Sequence, residues 1–540
     1  MQGYSFLLRV SPLNIKAHDR VMRRHALSCS IALTSIALLT ALPAGAAVPV
    51  PIQPLTRVSG PSPLPGCQVP LVDGVLYPQS EVEPQVAADS ARSGNLIGVW
   101  QQDRFSNGGA RALVAGHSAD AGRTWGEVAL PFSRCVPGGL PYDRASDPVV
   151  SVGPDSRAYT VSLSFTPNNV QPNFTTDDAI ASATSTDGGR SWQRVRILDR
   201  DTNGDVQGSL DKEWVVADPT HPGVAYATWD HFTPNPDGTF HVPARFSRTT
   251  NGGLTWSAPL TIAGVPTDEA AAIDTPVVDP RTGALYVFFN WSTPGNPDRL
   301  AFVKSANRGL TWTKPVAITP VDSVSVTDPN NGAYVRTGDS LFSAAVNPTS
   351  GRLYLAWQSG ALSSGKYDES LLITSGDGGR TWTSPKVVST RYGGPAFLPT
   401  IAVSTAGLVG LTWYDFRHDN PATTPLTTDV WFRTVNALTT RVGEEQHLTG
   451  PFNYNAAPDA GGRFLGDYQG MTTIGEQFRP FFAIANCLFS CPTNPTDIYT
   501  TSVRPNAPTT PAGAVAAPVQ QSRTVQAPQV LRPRPEVPIR

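Results

Sequence analysis

Acidic side chains recur near the starts of successive apolar runs in this chain: Glu83, Asp147, Asp211 with Glu213, Asp274, Asp339 and Asp467. Carboxyls brought together can serve as general acid and general base, because like charges held close raise the pKa of one and keep a proton available near neutral pH. A second polar set closes the apolar runs that follow: Gln101, Gln102, Asp103 and Arg104; Asp230 and His231; Asn290; Gln358; and Tyr414, Asp415 and Arg417. A third pattern suits a hard cation. Asp199, Asp201, Asn203 and Asp205 offer oxygen ligands at positions 1, 3, 5 and 7 of a loop whose sixth residue is Gly204, the spacing of a Ca²⁺ loop. Its twelfth position is Leu210, with Asp211 immediately after, so it is not a complete EF-hand. The expectation is a Ca²⁺ site on the approach to Glu213, and the alternative is an Asx-rich turn.

The elements that must position these residues follow from a repeat. An octapeptide, Ser/Thr-x-Asp/Asn-x-Gly-x-Thr/Ser-Trp, occurs at Ser118–Trp125, Ser185–Trp192, Thr249–Trp256, Ser305–Trp312 and Ser375–Trp382. Its Asp or Asn can cap turn amides, its Gly allows positive φ, and its Trp can pack between neighbouring sheets. Between the octapeptides lie hairpins of two apolar strands, many ending in an aromatic: Pro84 to Trp100, Pro148 to Val161, Glu213 to Trp229, Pro276 to Phe289, Phe342 to Trp357, Pro399 to Trp413 and, more weakly, Asp467 to Ala483. Each hairpin supplies two inner strands and each octapeptide joins two outer ones. The expected fold is therefore all-β, a β-propeller of four-stranded antiparallel blades, six or seven in number, with seven favoured by the hairpins. Hairpin alternation places strand-one starts and strand-two ends together at one mouth of the central channel. The octapeptide turns fall on the opposite face.

The octapeptide resembles the Asp box of the sialidase-like (BNR repeat) β-propellers, and the resemblance runs from about residue 80 to about 504. It implies a glycan-active protein, closest to an exo-sialidase-like glycoside hydrolase working at the mouth. Sialidases use a Tyr nucleophile. By resemblance Tyr468, in Gly466-Asp467-Tyr468-Gln469-Gly470, takes that role, with Glu213 as its base and Asp103 as the acid. Arg104, Arg417 and Arg463 are the implied ligands of a substrate carboxylate, with Asp415 and Asp467 as further substrate contacts. The chain departs from the family's Arg-Ile-Pro signature, since its first hairpin opens with Glu83-Pro84. The same scaffold also serves non-catalytic propellers that bind glycan or protein, which is the alternative reading. A lyase is a third, needing a base and a cation beside a uronate.

Composition bounds the rest. Lys+Arg 41 against Asp+Glu 43 gives a net charge of −2, which excludes the basic footprint of a nucleic-acid or anionic-membrane protein. Arg23, Arg24 and His25 precede the apolar run Ile31 to Leu42 and a small-residue segment ending at Ala47, the pattern of a cleaved signal peptide. The expected organisation is a signal peptide over 1–46, a lead-in over 47–79, the propeller over 80–504 and a Pro-rich tail over 505–540, in a secreted protein without an organic cofactor. Cys67, Cys135, Cys487 and Cys491 then remain in an oxidising compartment, and Cys67–Cys135 with Cys487–Cys491 is the favoured pairing of three.

Overall fold

The computed structural model describes residues 53–167, 175–202, 210–235, 240–423, 425–436, 441–488 and 495–505. The octapeptides fold as local chemistry dictates. Asp120 Oδ1 accepts from the amides of Arg123 and Thr124, its Oδ2 accepts from the Thr124 hydroxyl at 2.7 Å, and the Gly122 amide donates to Ser118 Oγ. Burial opposes ionisation, but the bonds from Thr124, Ser118 and Arg123 together outweigh it and lower the Asp120 pKa to about 2. The Gly of the motif is needed twice over: Gly309 has φ +80°, and a Cβ there would lie 2.3 Å from the Phe246 ring of the preceding sheet. The neighbouring Trp312 meets that ring edge-on at 5.1 Å, so each turn also fixes one sheet against the last.

Among the described residues the strands form seven four-stranded antiparallel units. Sheet I holds Glu81–Ala88, Leu96–Arg104, Ala110–Ser118 and Gly126–Ala129; sheet II holds Arg144–Val152, Ala158–Pro167, Thr175–Ser185 and Gln193–Asp201. A single pair, Ala110 opposite Ala145, joins these two. Sheet III holds Leu210–Ala217, Ala225–His231, Ala244–Thr249 and Leu260–Ala263; sheet IV holds Ala270–Asp279, Ala284–Ser292, Arg299–Ser305 and Val316–Pro320. Sheet V holds Phe342–Val346, Leu353–Ser359, Glu369–Ser375 and Lys386–Val387; sheet VI holds Ala396–Val403, Val409–Asp415, Thr427–Val435 and Val442–Asn453. Sheet VII holds Gly470–Ile474, Gln477–Ala485 and Thr496–Thr500, and takes its outermost strand, Thr56–Arg57, from the other end of the chain. The innermost strands contact one another in order, and that of sheet VII returns to that of sheet I, closing a β-propeller ring. The closing strand lies in the segment expected as a lead-in, pinned by Arg57 to Asp497 at 2.6 Å.

The apolar core is divided among the gaps between sheets. One cluster joins sheets I and II, including Val99, Leu113 and Ala181, and another joins sheets II and III, including Val161, Leu163 and Trp229. The largest runs from sheet VI through VII to I, including Phe432, Phe481 and Trp100. Apolar burial drives each sheet against its neighbours, so the axis is left to polar side chains.

Five innermost strands break their ladder at the same point, between Val82 and Gln85, Ser146 and Val149, Asp211 and Trp214, Ala272 and Thr275, and Phe397 and Thr400. Within each break one residue is left-handed: Glu83, Asp147, Lys212, Ile273 and Leu398, with φ between 51° and 69°. A left-handed non-glycine residue costs about 1–2 kcal/mol, and a β-bulge re-aims the side chains beside it. Strict alternation therefore fails where the chain meets the channel.

The expected Cys67–Cys135 disulfide is present, with its Cα atoms 5.5 Å apart. Cys487 is disulfide-bonded, and its expected partner Cys491 lies outside the described residues, as do 1–46 and the tail beyond 505. No helix among the described residues is long and apolar enough to cross a membrane. Replacing both Cys67 and Cys135 by Ser should lower unfolding stability by about 4 kcal/mol, from the loop-closure entropy of a 68-residue separation. Urea unfolding checks this, and an unshifted midpoint would show that the bridge adds nothing to the ring.

Candidate functional site

The bulges of sheets I, II and III carry Glu83, Asp147 and Lys212 to the axis, where they meet Asp467 on the approach to sheet VII. Lys212 Nζ lies 2.9 Å from Asp467 Oδ2 and 3.7 Å from Asp147 Oδ1. Arg336 clasps Asp467 from the other side with a two-pronged grip, Nε to Oδ1 at 3.1 Å and Nη2 to Oδ2 at 2.7 Å. Its remaining prong, Nη1, donates to Ala460 O at 2.9 Å. Arg336 arrives from the irregular link between sheets IV and V. There Val335–Arg336 pairs in parallel with Arg463–Phe464 of the link between sheets VI and VII. The Phe464 ring lies beneath the Arg336 guanidinium at 4.4 Å.

The carboxyls divide by environment. Burial alone would raise Asp467, but the charges of Arg336 and Lys212 and their hydrogen bonds hold it well below the usual carboxylate range. Burial also opposes ionisation of Asp147, yet Lys212 and hydrogen bonds from Glu83 and Asp211 bring it down. Glu83 and Asp211 move the other way. Burial, with the charges of Asp147 and Asp467, pushes Glu83 well up. For Asp211 burial outweighs the pull of Lys212 and, with Asp147 adding to it, lifts the pKa to about 7. Three carboxyls thus stand in a row, Glu83–Asp147–Asp211, with the centre shifted toward ionisation and the flanks toward protonation. Glu83 is further fixed by Gln101 Nε2, which also donates to Ser146 Oγ at 3.0 Å, while Arg104 Nη1 donates to Gln101 Oε1 at 2.8 Å.

Tyr468 borders this row. Its hydroxyl donates to Pro148 O at 3.2 Å, next to Asp147, and its ring meets Trp214 edge-on at 5.8 Å. Burial and the surrounding carboxylates, Glu83 first, raise the phenol well above its ordinary pKa. Beside it lies a small cleft of about 30 Å³ lined by Gln85, Trp214, Leu398, Thr400, Tyr468 and Gln469 among others.

Among the residues expected from sequence, the structure brings Tyr468, Asp467 and Arg104 to this centre, with Arg104 buried at 3 % exposure and stacked over Phe464 at 5.1 Å. Glu213 is close enough to act on Tyr468 electrostatically but is 1 % exposed, and burial with the Asp147 charge pushes its pKa well up. Its surroundings thus favour the protonated form, whereas the base role the resemblance implies calls for the ionised one. Asp103 is a correction. Its carboxylate is consumed by the lead-in, accepting from Ser62 Oγ and the Gln79 amide, both at 2.8 Å, and from Arg111 at 3.2 Å. Arg417 is a second. It turns along its own sheet to Asp415 at 2.8 Å and to Glu445, and lies 3.7 Å over Trp431. Asp415, fully buried, is held there with it and accepts from Trp431 Nε1 at 2.9 Å. Arg463 donates to Ala457 O at 3.1 Å within its own link. Each of the three Arg implied for a substrate carboxylate thus makes an internal hydrogen bond.

For the expected Ca²⁺ loop, Asp199 and Asp201 end a strand of sheet II, and Asn203 and Asp205 lie outside the described residues. Asp199 Oδ2 accepts from Trp229 Nε1 at 3.0 Å, and Asp201 Oδ2 lies 3.4 Å from His231 Nε2. The described half is thus tied to sheet III, and no group of three or more metal-ligating His, Cys, Asp or Glu side chains gathers among the described residues.

Sequence reasoning named Asp211 and Glu83 as mouth residues without roles, and missed Lys212 and Arg336. The run Asp211-Lys212-Glu213 carried a signal for Lys212, a cation set between two acids at a strand start. Arg336, in an irregular link, carried none. Asp103→Asn should loosen the lead-in, at a cost of about 1–3 kcal/mol for a buried charged acceptor. Limited proteolysis before residue 80 should quicken; an unchanged cleavage rate in a folded variant would show that Asp103 does not hold the lead-in.

No protein-family model and no curated protein matches the chain. Solved structures similar to it include a protein of unknown function from Dyadobacter fermentans, at 14% identity and TM-score 0.42, covering 80% of this chain and 97% of that one. The GH93 α-L-arabinofuranosidase of Fusarium graminearum is similar at 13% identity and TM-score 0.42, over 67% of this chain and 92% of its own. A Hadza microbial sialidase is similar at 15% identity and TM-score 0.42, over 77% and 74%.

Proposed function

We propose that this protein is an exported glycoside hydrolase whose reaction takes place at the channel mouth. The observation that carries the reading is the row Glu83–Asp147–Asp211, in which environment drives neighbouring carboxyl pKa values apart beside the phenol of Tyr468. Such a division supplies the two partners that acid–base cleavage of a glycosidic bond needs. Asp211, protonated up to about pH 7, donates to the leaving oxygen. Tyr468 attacks the anomeric carbon as its proton passes to the ionised Asp147; water deprotonated by Asp211 then displaces the sugar from the Tyr468 oxygen, which takes its proton back from Asp147. Trp214 and Tyr468 offer the sugar an apolar edge. Export is supported by the leader-like sequence and by the Cys67–Cys135 bridge, which suits an oxidising compartment.

The test uses aryl glycosides spanning neutral, amino and acidic sugars. Asp211→Asn should lower kcat at least about 100-fold, the usual scale of general acid catalysis, and Tyr468→Phe should abolish turnover. The wild-type rate should fall as pH rises through about 7, where Asp211 loses the proton it must donate, and on the acid side only below the ordinary Asp range, where Asp147 gains one. Full turnover by Tyr468→Phe would remove the nucleophile. Silence of the wild type across the panel with glycan binding intact would replace the hydrolase by a binding propeller.

A further inference from the structure

Among the described residues that meet at the mouth, Lys212 and Arg336 are the cations a ligand could reach, with side chains 17% and 28% exposed. Both are already occupied. Arg336 spends Nε and Nη2 on Asp467 and Nη1 on Ala460 O, which uses every nitrogen of the fork. Lys212 bridges Asp467 and Asp147, both at most 4% exposed, so these carboxylates cannot swing away to free it. The third central cation, Arg104, is buried beneath the surface a ligand would touch. A sugar carboxylate entering here would find Lys212 and Arg336 already paired with buried carboxylates, and would have to displace an internal ion pair to be bound.

From this geometry we infer that the mouth accepts glycans whose reacting residue is uncharged and excludes those bearing a carboxylate, such as sialyl or uronyl residues. The inference rests on the mouth being the glycan site and deepens that reading. Lys212 and Arg336 serve to keep Asp467 and Asp147 ionised against burial, and the selectivity follows because those cations are spent internally. The remaining recognition elements are neutral, the Trp214 and Tyr468 rings and the Gln85 and Gln469 amides, which suit hydroxyl groups and sugar faces.

Binding measured by calorimetry on the full mature chain separates this claim from catalysis. The probes are oligosaccharides with neutral pentose or hexose ends and their sialylated or uronylated counterparts. Neutral ends should bind at least ten-fold more tightly than acidic ones. Asp467→Asn should reverse the order by releasing the Arg336 fork, and retained cooperative melting would confirm that this variant folds. Should it not fold, the wild-type panel decides alone, with Gln469→Ala expected to weaken neutral-sugar binding. Tight binding of neutral ends without turnover would end the hydrolase proposal and leave this inference standing. Equal or tighter wild-type binding of sialyl or uronyl ends, or no binding of neutral ends, would overturn it.

Discussion

Around the axis, five inner strands break their ladders at one shared point, and the mouth is built on that break. A regular strand would send Asp211 and Glu213 to one side and Lys212 to the other. The left-handed turn at Lys212 instead lets Lys212 and Asp211 both meet Asp147 of the preceding sheet, while Glu213 becomes buried. Ile273 shows how firmly the ring imposes this geometry, because a β-branched residue at φ +69° is strongly disfavoured by its own sterics. Inter-sheet packing on both sides of every strand holds the strain in place. With the apolar area distributed among the gaps, the axis needs no core of its own.

So many carboxyls can share so small a volume because they do not share the same charge. Arg336 and Lys212 hold Asp467 and Asp147 toward the ionised form, whereas burial pushes Glu83 and Glu213 well up and lifts Asp211 to about 7. Buried charges persist when they are paired and hydrogen-bonded, and costs rise steeply when a partner is lost. The same pairing that makes the cluster tolerable leaves one proton, on Asp211, that titrates near the middle of the pH range. Structure and chemistry at the mouth are thus one arrangement.

The sequence made the ring legible because its signals are local. Each octapeptide closes through bonds within five residues, as at Asp120 and Thr124, and no distant partner is needed. The acidic strand starts were also legible, since hairpin register alone brings Glu83, Asp147, Asp211 and Asp467 to one end. Roles were not. They depend on Arg336, delivered by a link that has no period, and on a bulge that inverts the side on which Lys212 falls. Asp103 and Arg417 look like mouth residues by register, but Ser62 and Gln79 of the lead-in claim the first, and Glu445 and Trp431 of its own sheet claim the second. Only a fold can show that a charged side chain is already engaged.

One mouth carboxyl, Asp211, titrates near neutrality, while Lys212 lowers the pKa of its neighbour Asp147. Infrared difference titration of the carboxyl stretch, wild type minus Asp211→Asn, reads that proton directly. The account predicts that the protonated band assigned to Asp211 disappears with a midpoint near pH 7. Its disappearance at about pH 4, the ordinary value for an exposed Asp, would contradict the account, because the row would then hold no acid to donate.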